Sequence, residues 1–338
     1  MKKLLAIVLA SCLALSMVAC GGAASSAPAS TAPAPAASSA AASTAEKTEA
    51  GAKVGACIYK YDDNFMTLYR EELQKYLEEK GCSVTVVDGK NDQAEQTNQI
   101  NAFIADKVDV LIVNLVQSSA AATVIDLAKT ADIPVIFINR EPTKEDLDLW
   151  DKIAYVGADA RQSGTFQGEI IAATPNKGDI NGNGTVDYVM IVGDPENVDA
   201  QFRTEFSIKA LTDAGLKVNK LFEQRGDWDQ AKGQELAATA LSQFGNDIDV
   251  IFCNNDGMAL GAYQAIVSAG RTVGKDIYLV GVDALEECQA MVKDGTMTGT
   301  VLNDHIGQSH KAADVALEAV AGKALEKNYT VDYVKVTA

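Results

Sequence analysis

The stretch VDVLIVNLVQSSAAATVIDLAKTADIPVIFIN, residues 108–139, decides the fold class. Two apolar runs, 108–114 and 133–139, enclose a segment with helical spacing at 120–130. Apolar runs rich in β-branched residues predict strands that are buried on both faces. Because two parallel strands need a crossover connection, usually a helix, this stretch predicts one unit of a parallel α/β sheet.

The same alternation of strand and helix continues in both directions along the chain. It forms two successive blocks, with predicted strands at 53–59, 83–87, 108–114 and 133–139, and then at 186–193, 216–222, 249–254 and 277–283. Two similar blocks predict two lobes, each a doubly wound parallel sheet flanked by helices. Ligands of such sheets bind beyond the carboxyl ends of the strands, so a cleft between the lobes is the expected site.

The first 50 residues are expected to be a signal followed by a tether rather than part of the fold. Lys2 and Lys3 precede an apolar run at 4–18, which is typical of a secretory signal. Small residues before Cys20 resemble a bacterial lipobox and predict a signal peptide over 1–20 with lipidation of Cys20, although a plain secretory signal is the alternative. Residues 21–50 are rich in Ala, Ser, Pro and Thr and predict a disordered tether.

The charge of the chain excludes one class of partner. The formal net charge is −17, and removal of the two lysines in the signal makes it −19. Such an acidic chain is a poor ligand for nucleic acid or for anionic membrane surfaces. Cys57 and Cys253 lie in apolar runs and are predicted to be buried thiols, while a Cys57–Cys82 disulfide stays open as an alternative.

The segment DINGNGTVD, residues 179–187, has the spacing of a calcium loop. Its oxygen-bearing residues occupy positions 1, 3, 5, 7 and 9 with Gly184 at position 6, namely Asp179, Asn181, Asn183, Thr185 and Asp187. Position 12, which should be a bidentate glutamate, is Met190. The alternatives are a calcium site whose last carboxylate comes from elsewhere and a solvated Asn/Gly turn.

Polar and aromatic residues follow almost every predicted strand. Examples are YKYDDNF at 59–65, NREP at 139–142, DPENVDAQFR at 194–203 and NND at 254–256. Carboxylate, amide and guanidinium groups pair with hydroxyls, and aromatic faces cover the apolar side of a sugar ring. Each Asp or Asn taken alone could instead be a helix N-cap, so the sugar interpretation depends on their joint occurrence.

Five of these motifs resemble one family. IYKYDDNFM at 58–66, FINREP at 137–142, NNDGMALGA at 254–262, VGVDAL at 280–285 and GTVLND at 299–304 are similar to the periplasmic binding proteins for D-galactose and D-glucose. The resemblance extends from about residue 53 to near the C-terminus. It implies the two-lobed type I fold, with an N-terminal lobe of 51–157 plus 304–330 and a C-terminal lobe of 158–303 plus 331–338.

The resemblance also implies a set of sugar-binding residues. The first lobe would supply Tyr59, Asp63, Phe65 and Asn139, and the second Asn197, Asp199, Arg203, Trp228, Asn255, Asp283 and Asn303. Phe65 and Trp228 would stack on opposite faces of the ring, and Asp63 would contact the hydroxyl that differs between glucose and galactose. Asn197 stands where the family has a histidine, so the preference between the two hexoses is open.

The resemblance further implies a calcium cofactor and a set of partners. The missing calcium ligand would be Asp249, which completes the set Asp179, Asn181, Asn183, Thr185, Asp187 and Asp249. The partners would be D-galactose or D-glucose and the permease of an ABC importer, with a chemoreceptor as an open addition. The protein would be a monomer held by its lipid anchor on the extracytoplasmic face of the cell membrane.

Three competing interpretations are weaker. An enzyme is disfavoured because the two histidines, His305 and His310, form no visible catalytic set and the Gly-rich stretches lack phosphate-loop spacing. A transcription repressor of related fold would need a basic N-terminal DNA-binding segment. Within the binding proteins, another pentose or hexose is the alternative ligand.

Overall fold

The computed structural model describes residues 51–338, so the predicted signal peptide, Cys20 and the tether at 21–50 lie outside the described residues. The first part of the fold alternates strictly between strand and helix. Its elements are β1 Lys53–Ile58, α1 Asn64–Glu79, β2 Ser83–Asp88, α2 Gln93–Ala105, β3 Val110–Val113, α3 Ala121–Ala131, β4 Val135–Ile138, α4 Lys144–Leu147 and β5 Ile153–Gly157.

The second part repeats this alternation and then returns to the first lobe. Its elements are α5 Ala160–Ala172, β6 Val186–Val192, α6 Val198–Asp213, β7 Val218–Arg225, α7 Gln230–Phe244, β8 Val250–Cys253, α8 Asp256–Ser268, β9 Tyr278–Val280, α9 Glu286–Lys293, β10 Thr300–Leu302, α10 His305–Val320, β11 Asn328–Thr330 and β12 Val334–Val336. The prediction of an α/β fold with two lobes is confirmed.

Each lobe is built on one parallel sheet. The first sheet has the strand order β11-β5-β4-β3-β1-β2 and the second has β7-β6-β8-β9. All four residues of β3, β4 and β8 are buried, because helices cover both faces of the sheets. Helix α10 packs on α1 in the first lobe although it follows β10 in the chain.

The chain crosses between the lobes three times. The crossings lie between β5 and α5, between β10 and α10, and between β11 and β12. Strand β11 pairs with β5 in the first sheet, whereas β12 pairs antiparallel with β10. Two isolated bridges, Val280 with Gly299 and Asp283 with Leu302, connect the end of β9 and the residue Asp283 after it to the β10 region. They attach the β10–β12 ladder to the second lobe.

Several elements were missed by the sequence prediction. Strand β5 and helices α4, α9 and α10 were not predicted, and of these β5 and α4 are only 5 and 4 residues long. Strand β11 at 328–330 was also missed, because it is only partly buried at the sheet edge. Cys57 and Cys253 are buried free thiols, as predicted, and the Cys57–Cys82 disulfide is therefore not formed.

Candidate functional site

The carboxyl ends of the strands of both sheets face a single cavity with an empty volume of about 330 Å³. The structure brings all eleven predicted sugar-binding residues together around it: Tyr59, Asp63, Phe65, Asn139, Asn197, Asp199, Arg203, Trp228, Asn255, Asp283 and Asn303. Met66 and Arg140 complete the lining.

Arg203 is the central donor on the second-lobe side of the cavity. Its side chain is only 4% exposed, and its Nη1 donates to the Asn254 carbonyl at 2.8 Å while Nη2 donates to the Tyr333 hydroxyl at 3.0 Å. Nη2 also lies 3.6 Å from a carboxylate oxygen of Asp199. The Nε–H group is buried and has no hydrogen-bond partner within the described residues, so a ligand oxygen could satisfy it.

Two buried carboxyls lie close to this arginine. Burial raises the pKa of Asp199 to about 6, and the positive charge of Arg203 opposes part of that shift. Burial also raises the pKa of Asp283 well above its ordinary value, again against the effect of Arg203. Asp199 and Asp283 therefore take up a proton, and so gain a donor O–H group, at a higher pH than a surface carboxylate does.

Asp63 organises the first-lobe side of the cavity. One oxygen accepts from the Met66 amide at 2.7 Å and caps α1, and the other accepts from the Tyr59 hydroxyl at 2.7 Å. The guanidinium of Arg140 in turn lies over the ring of Tyr59, 4.0 Å from the ring centroid. These contacts fix the side-chain positions before any ligand arrives.

Helix capping and ligand binding are compatible at the asparagines. Asn197 caps α6 and Asn255 caps α8, each through its side-chain oxygen. Capping uses only that oxygen, which leaves the amide nitrogen of Asn197 available to donate into the cavity. Asn303 instead donates to Asp283 at 3.2 Å and accepts from Gln308 at 2.6 Å.

Three residues of the cavity have unusual backbone angles. The φ values are 62° for Asn139, 65° for Trp228 and 123° for Asp283. Residues other than glycine rarely adopt positive φ, and such strain concentrates at functional sites. Gly193 makes room for Trp228, because a Cβ atom there would lie 2.2 Å from the indole ring.

Arg140 is the residue of the cavity that sequence reasoning missed. It follows Asn139 in the NREP stretch and is 2% exposed, with Nη1 donating to the Val116 carbonyl. Nη1 also lies 3.7 Å from Asp194 of the second lobe, so the ion pair spans the cleft. Its place directly after a strand is the signal that could have identified it, whereas Met66 shows only the apolar periodicity of a helix.

The architecture of this cleft is that of a known family, and the family model described as a periplasmic binding protein domain matches residues 54–324. The chain belongs to this family. It is accordingly a binding protein and not an enzyme, and it works outside the cytoplasm. In the described part of the chain, no helix has the length and apolar character needed to cross a bilayer.

Relatives and solved structures agree with this assignment. The binding protein is 37% identical to the D-galactose/methyl-galactoside binding periplasmic protein MglB of Haemophilus influenzae, over 81% of this chain and 83% of that relative. It is 27% identical to the ribose import binding protein RbsB of Escherichia coli, over 79% and 84%. A solute binding protein of Bacillus halodurans with bound myo-inositol has a TM-score of 0.75 at 26% identity, covering 86% and 95%.

The predicted calcium loop lies between α5 and β6, away from the cavity. Asp179 accepts from the amides of Gly182, Asn183 and Gly184, as a residue at the first loop position can. Asp187 accepts from the side-chain amides of Asn183 and Asn219, both at 2.7 Å. The loop is therefore closed by its own hydrogen bonds.

Asp249 faces this loop but is already engaged. Its Oδ1 accepts from the amides of Ile180 and Asn181, and its Oδ2 accepts from the amide of Asp187 at 2.8 Å. Since each carboxylate oxygen has two lone pairs, only one on Oδ2 remains for a cation. Within residues 51–338, no three His, Cys, Asp or Glu side chains converge as a metal site. The loop can thus offer carboxylate oxygens of Asp179 and Asp187 beside amide and carbonyl oxygens, with Asp249 at most a single-oxygen ligand.

Proposed function

We propose that this binding protein captures D-galactose or D-glucose between its lobes and delivers it to the permease of an ABC importer. The observation that carries the proposal is the lining of the cavity. Carboxylate, amide and guanidinium groups from both lobes line the cavity together with two aromatic side chains, Phe65 and Trp228. Such a lining pairs with hydroxyls around a ring and covers its apolar faces. The similarity to the Haemophilus galactoside-binding protein supports the choice of hexose.

Closure of the lobes is the proposed mechanism. Ligand that bridges both lobes stabilises the closed form, and the permease distinguishes that form from the open one. Two contacts between the lobes favour this mechanism. Arg140 and Asp194 lie 3.7 Å apart across the cleft, and Trp228 packs against the cores of both lobes.

Calorimetric titration of the purified protein with galactose, glucose, ribose and myo-inositol tests the ligand. Micromolar or tighter binding of galactose or glucose, with much weaker binding of the other two, would support the proposal. Binding of ribose or another sugar in preference would favour the alternative, a different pentose or hexose. Absence of binding by every sugar would contradict both.

Sugar affinity is expected to depend on pH through Asp199. Its folded pKa of about 6 lies above the ordinary value, so lowering the pH protonates the carboxylate that accepts hydroxyl hydrogen bonds. Affinity should fall about tenfold between pH 7.5 and pH 5, with the midpoint near 6. By the same shift, the contribution of Asp199 to the stability of the sugar-free protein falls as the pH rises from about 4 through 6.

Titration calorimetry across this pH range measures the effect, and Asp199→Asn is the matched variant. That variant has no ionisable group at position 199, so its weaker affinity should be nearly independent of pH. An equally steep pH profile in Asp199→Asn would assign the titration to another group.

We further propose that the loop at 179–187 binds calcium weakly. The ligands would be Asp179, Asn181, Asn183, the Thr185 carbonyl and Asp187, with one oxygen of Asp249. Hard cations favour such oxygen ligands, and loss of a bidentate carboxylate lowers the affinity. A melting temperature that rises with millimolar calcium and falls with chelator would support the site, and identical melting curves would count against it.

We also propose lipidation of Cys20, which would place the protein on the extracytoplasmic face of the membrane. The sequence support is the run of small residues directly before Cys20 at the end of the signal. Incorporation of labelled fatty acid that disappears in Cys20→Ala is the expected result. Equal labelling of the variant would contradict the anchor. A chemoreceptor partner has no support beyond the family resemblance.

A further inference from the structure

The last crossing between the lobes contains a buried tyrosine, Tyr333, that contacts Arg203 of the cavity. This crossing comprises residues 331–333, between β11 in the first lobe and β12 in the second. The Val331 amide donates to the Gly157 carbonyl at 2.9 Å, and the Tyr333 amide donates to Oε1 of Gln162 at 2.7 Å. Both contacts attach the last crossing to the first one, so the backbone of Tyr333 is held in place.

The side chain of Tyr333 is 4% exposed and packs in the core of the second lobe. Its hydroxyl accepts from Nη2 of Arg203 at 3.0 Å, and the guanidinium lies 5.9 Å from the centre of the ring. Burial raises the pKa of Tyr333 to about 12, so the hydroxyl keeps its proton at neutral pH.

The contact between Tyr333 and Arg203 matters because it helps to set the orientation of the guanidinium. The guanidinium has two neutral acceptors, the Asn254 carbonyl and the Tyr333 hydroxyl, and neither residue lines the cavity. A single hydrogen bond would leave the planar guanidinium free to rotate about it, whereas two hydrogen bonds define its plane. Because Nε lies in the same plane, these two bonds also set the direction of its unpartnered N–H group.

We propose that Tyr333 is a positioning residue for the ligand, which acts by orienting Arg203. The inference depends on the proposed function, since it assumes that Arg203 contacts a sugar hydroxyl. It gives the last crossing a part in recognition as well as in connecting the lobes. One hydrogen bond then joins Arg203 to the last crossing.

Titration calorimetry of Tyr333→Phe tests this role. The variant removes one oxygen and keeps the ring, so the melting temperature should fall by only a few degrees while the dissociation constant rises about fivefold. Tyr329→Phe is the matched control, because Tyr329 lies on β11 of the same segment and its hydroxyl accepts only from the Glu326 amide, at 2.9 Å. The control should bind as tightly as the wild-type protein, and equal affinity of Tyr333→Phe would overturn the proposal.

A series of deoxy analogues of the bound sugar separates positioning from a general structural effect. The fivefold penalty of Tyr333→Phe should vanish for the analogue that lacks the hydroxyl facing Arg203, and persist for the others. Equal penalties for all analogues would show that Tyr333 only supports the fold. If the wild-type protein binds no sugar, the proposed function fails first, and that result is distinct from either outcome.

Discussion

Replacement of Arg203 by methionine is expected to weaken sugar binding on the order of a thousandfold. Arg203 is buried between Asp199 and Tyr333 and donates two hydrogen bonds that hold it against the cavity. Methionine keeps the apolar stem but leaves Asp199 without its positive neighbour. A hydrogen bond to a charged group contributes about 1.5–3 kcal/mol and a buried hydroxyl left without its donor costs about 1–3 kcal/mol more, while 1.4 kcal/mol corresponds to tenfold in affinity.

Titration calorimetry measures the loss, and Arg161→Met is the matched control. Arg161 lies in the same lobe with its guanidinium 3.8 Å over the ring of Phe202, but its side chain is 42% exposed and pairs with the half-exposed Asp159. Its removal should leave the affinity unchanged. Arg203→Lys keeps the charge without the planar fork and should lie between the two. A dissociation constant for Arg203→Met within tenfold of the wild-type value would contradict the assigned role.

Asp249→Ala is expected to destabilise the second lobe by about 3 kcal/mol. Asp249 is fully buried, and its two oxygens accept from the backbone amides of Ile180, Asn181 and Asp187. Alanine would leave these donors unpaired where water has little access, and hydrogen bonds to a charged group contribute about 1.5–3 kcal/mol. The melting temperature should fall by roughly 6–12 °C.

Asp247→Ala is the control for this prediction, because Asp247 lies in the adjacent turn and contributes only its backbone carbonyl to Asn181. Thermal melting of both variants with calcium and with chelator completes the experiment. The Asp249→Ala loss should be present in chelator, since the backbone hydrogen bonds need no metal. A loss seen only with calcium would mean that Asp249 acts as a metal ligand instead.

Much of the fold follows from local sequence, because β3 and β4 are buried on both faces. Their apolar runs leave no alternative to a central parallel strand. The C-terminal strands behave differently: β11 and β12 are short and half exposed, and they pair in different sheets. No periodicity in six such residues reveals which lobe each one joins.

The candidate site was predictable to the extent that position after a strand determines it. The carboxyl ends of the strands in a parallel sheet lie at one edge, so Asp63 and Asn139 are expected to lie near each other. The ion pair of Arg140 with Asp194 could not be predicted this way, because it depends on the approach of two lobes. The orientation of Asp249 was also beyond sequence, since its amide partner Asp187 is 62 residues away.

The three crossings are joined to one another as well as to the lobes. Leu302, just before the second crossing, pairs with Val334, just after the third. The amide of Val331, in the third crossing, donates to the carbonyl of Gly157, just before the first. Each of these hydrogen bonds lies within one lobe, at the point where a crossing leaves it, so the crossings begin and end side by side. Bending about a line through the three crossings leaves all of these bonds in place and is the motion we expect of the lobes. A single angle would describe the protein at every stage of loading, and one distance measured between the lobes would report it.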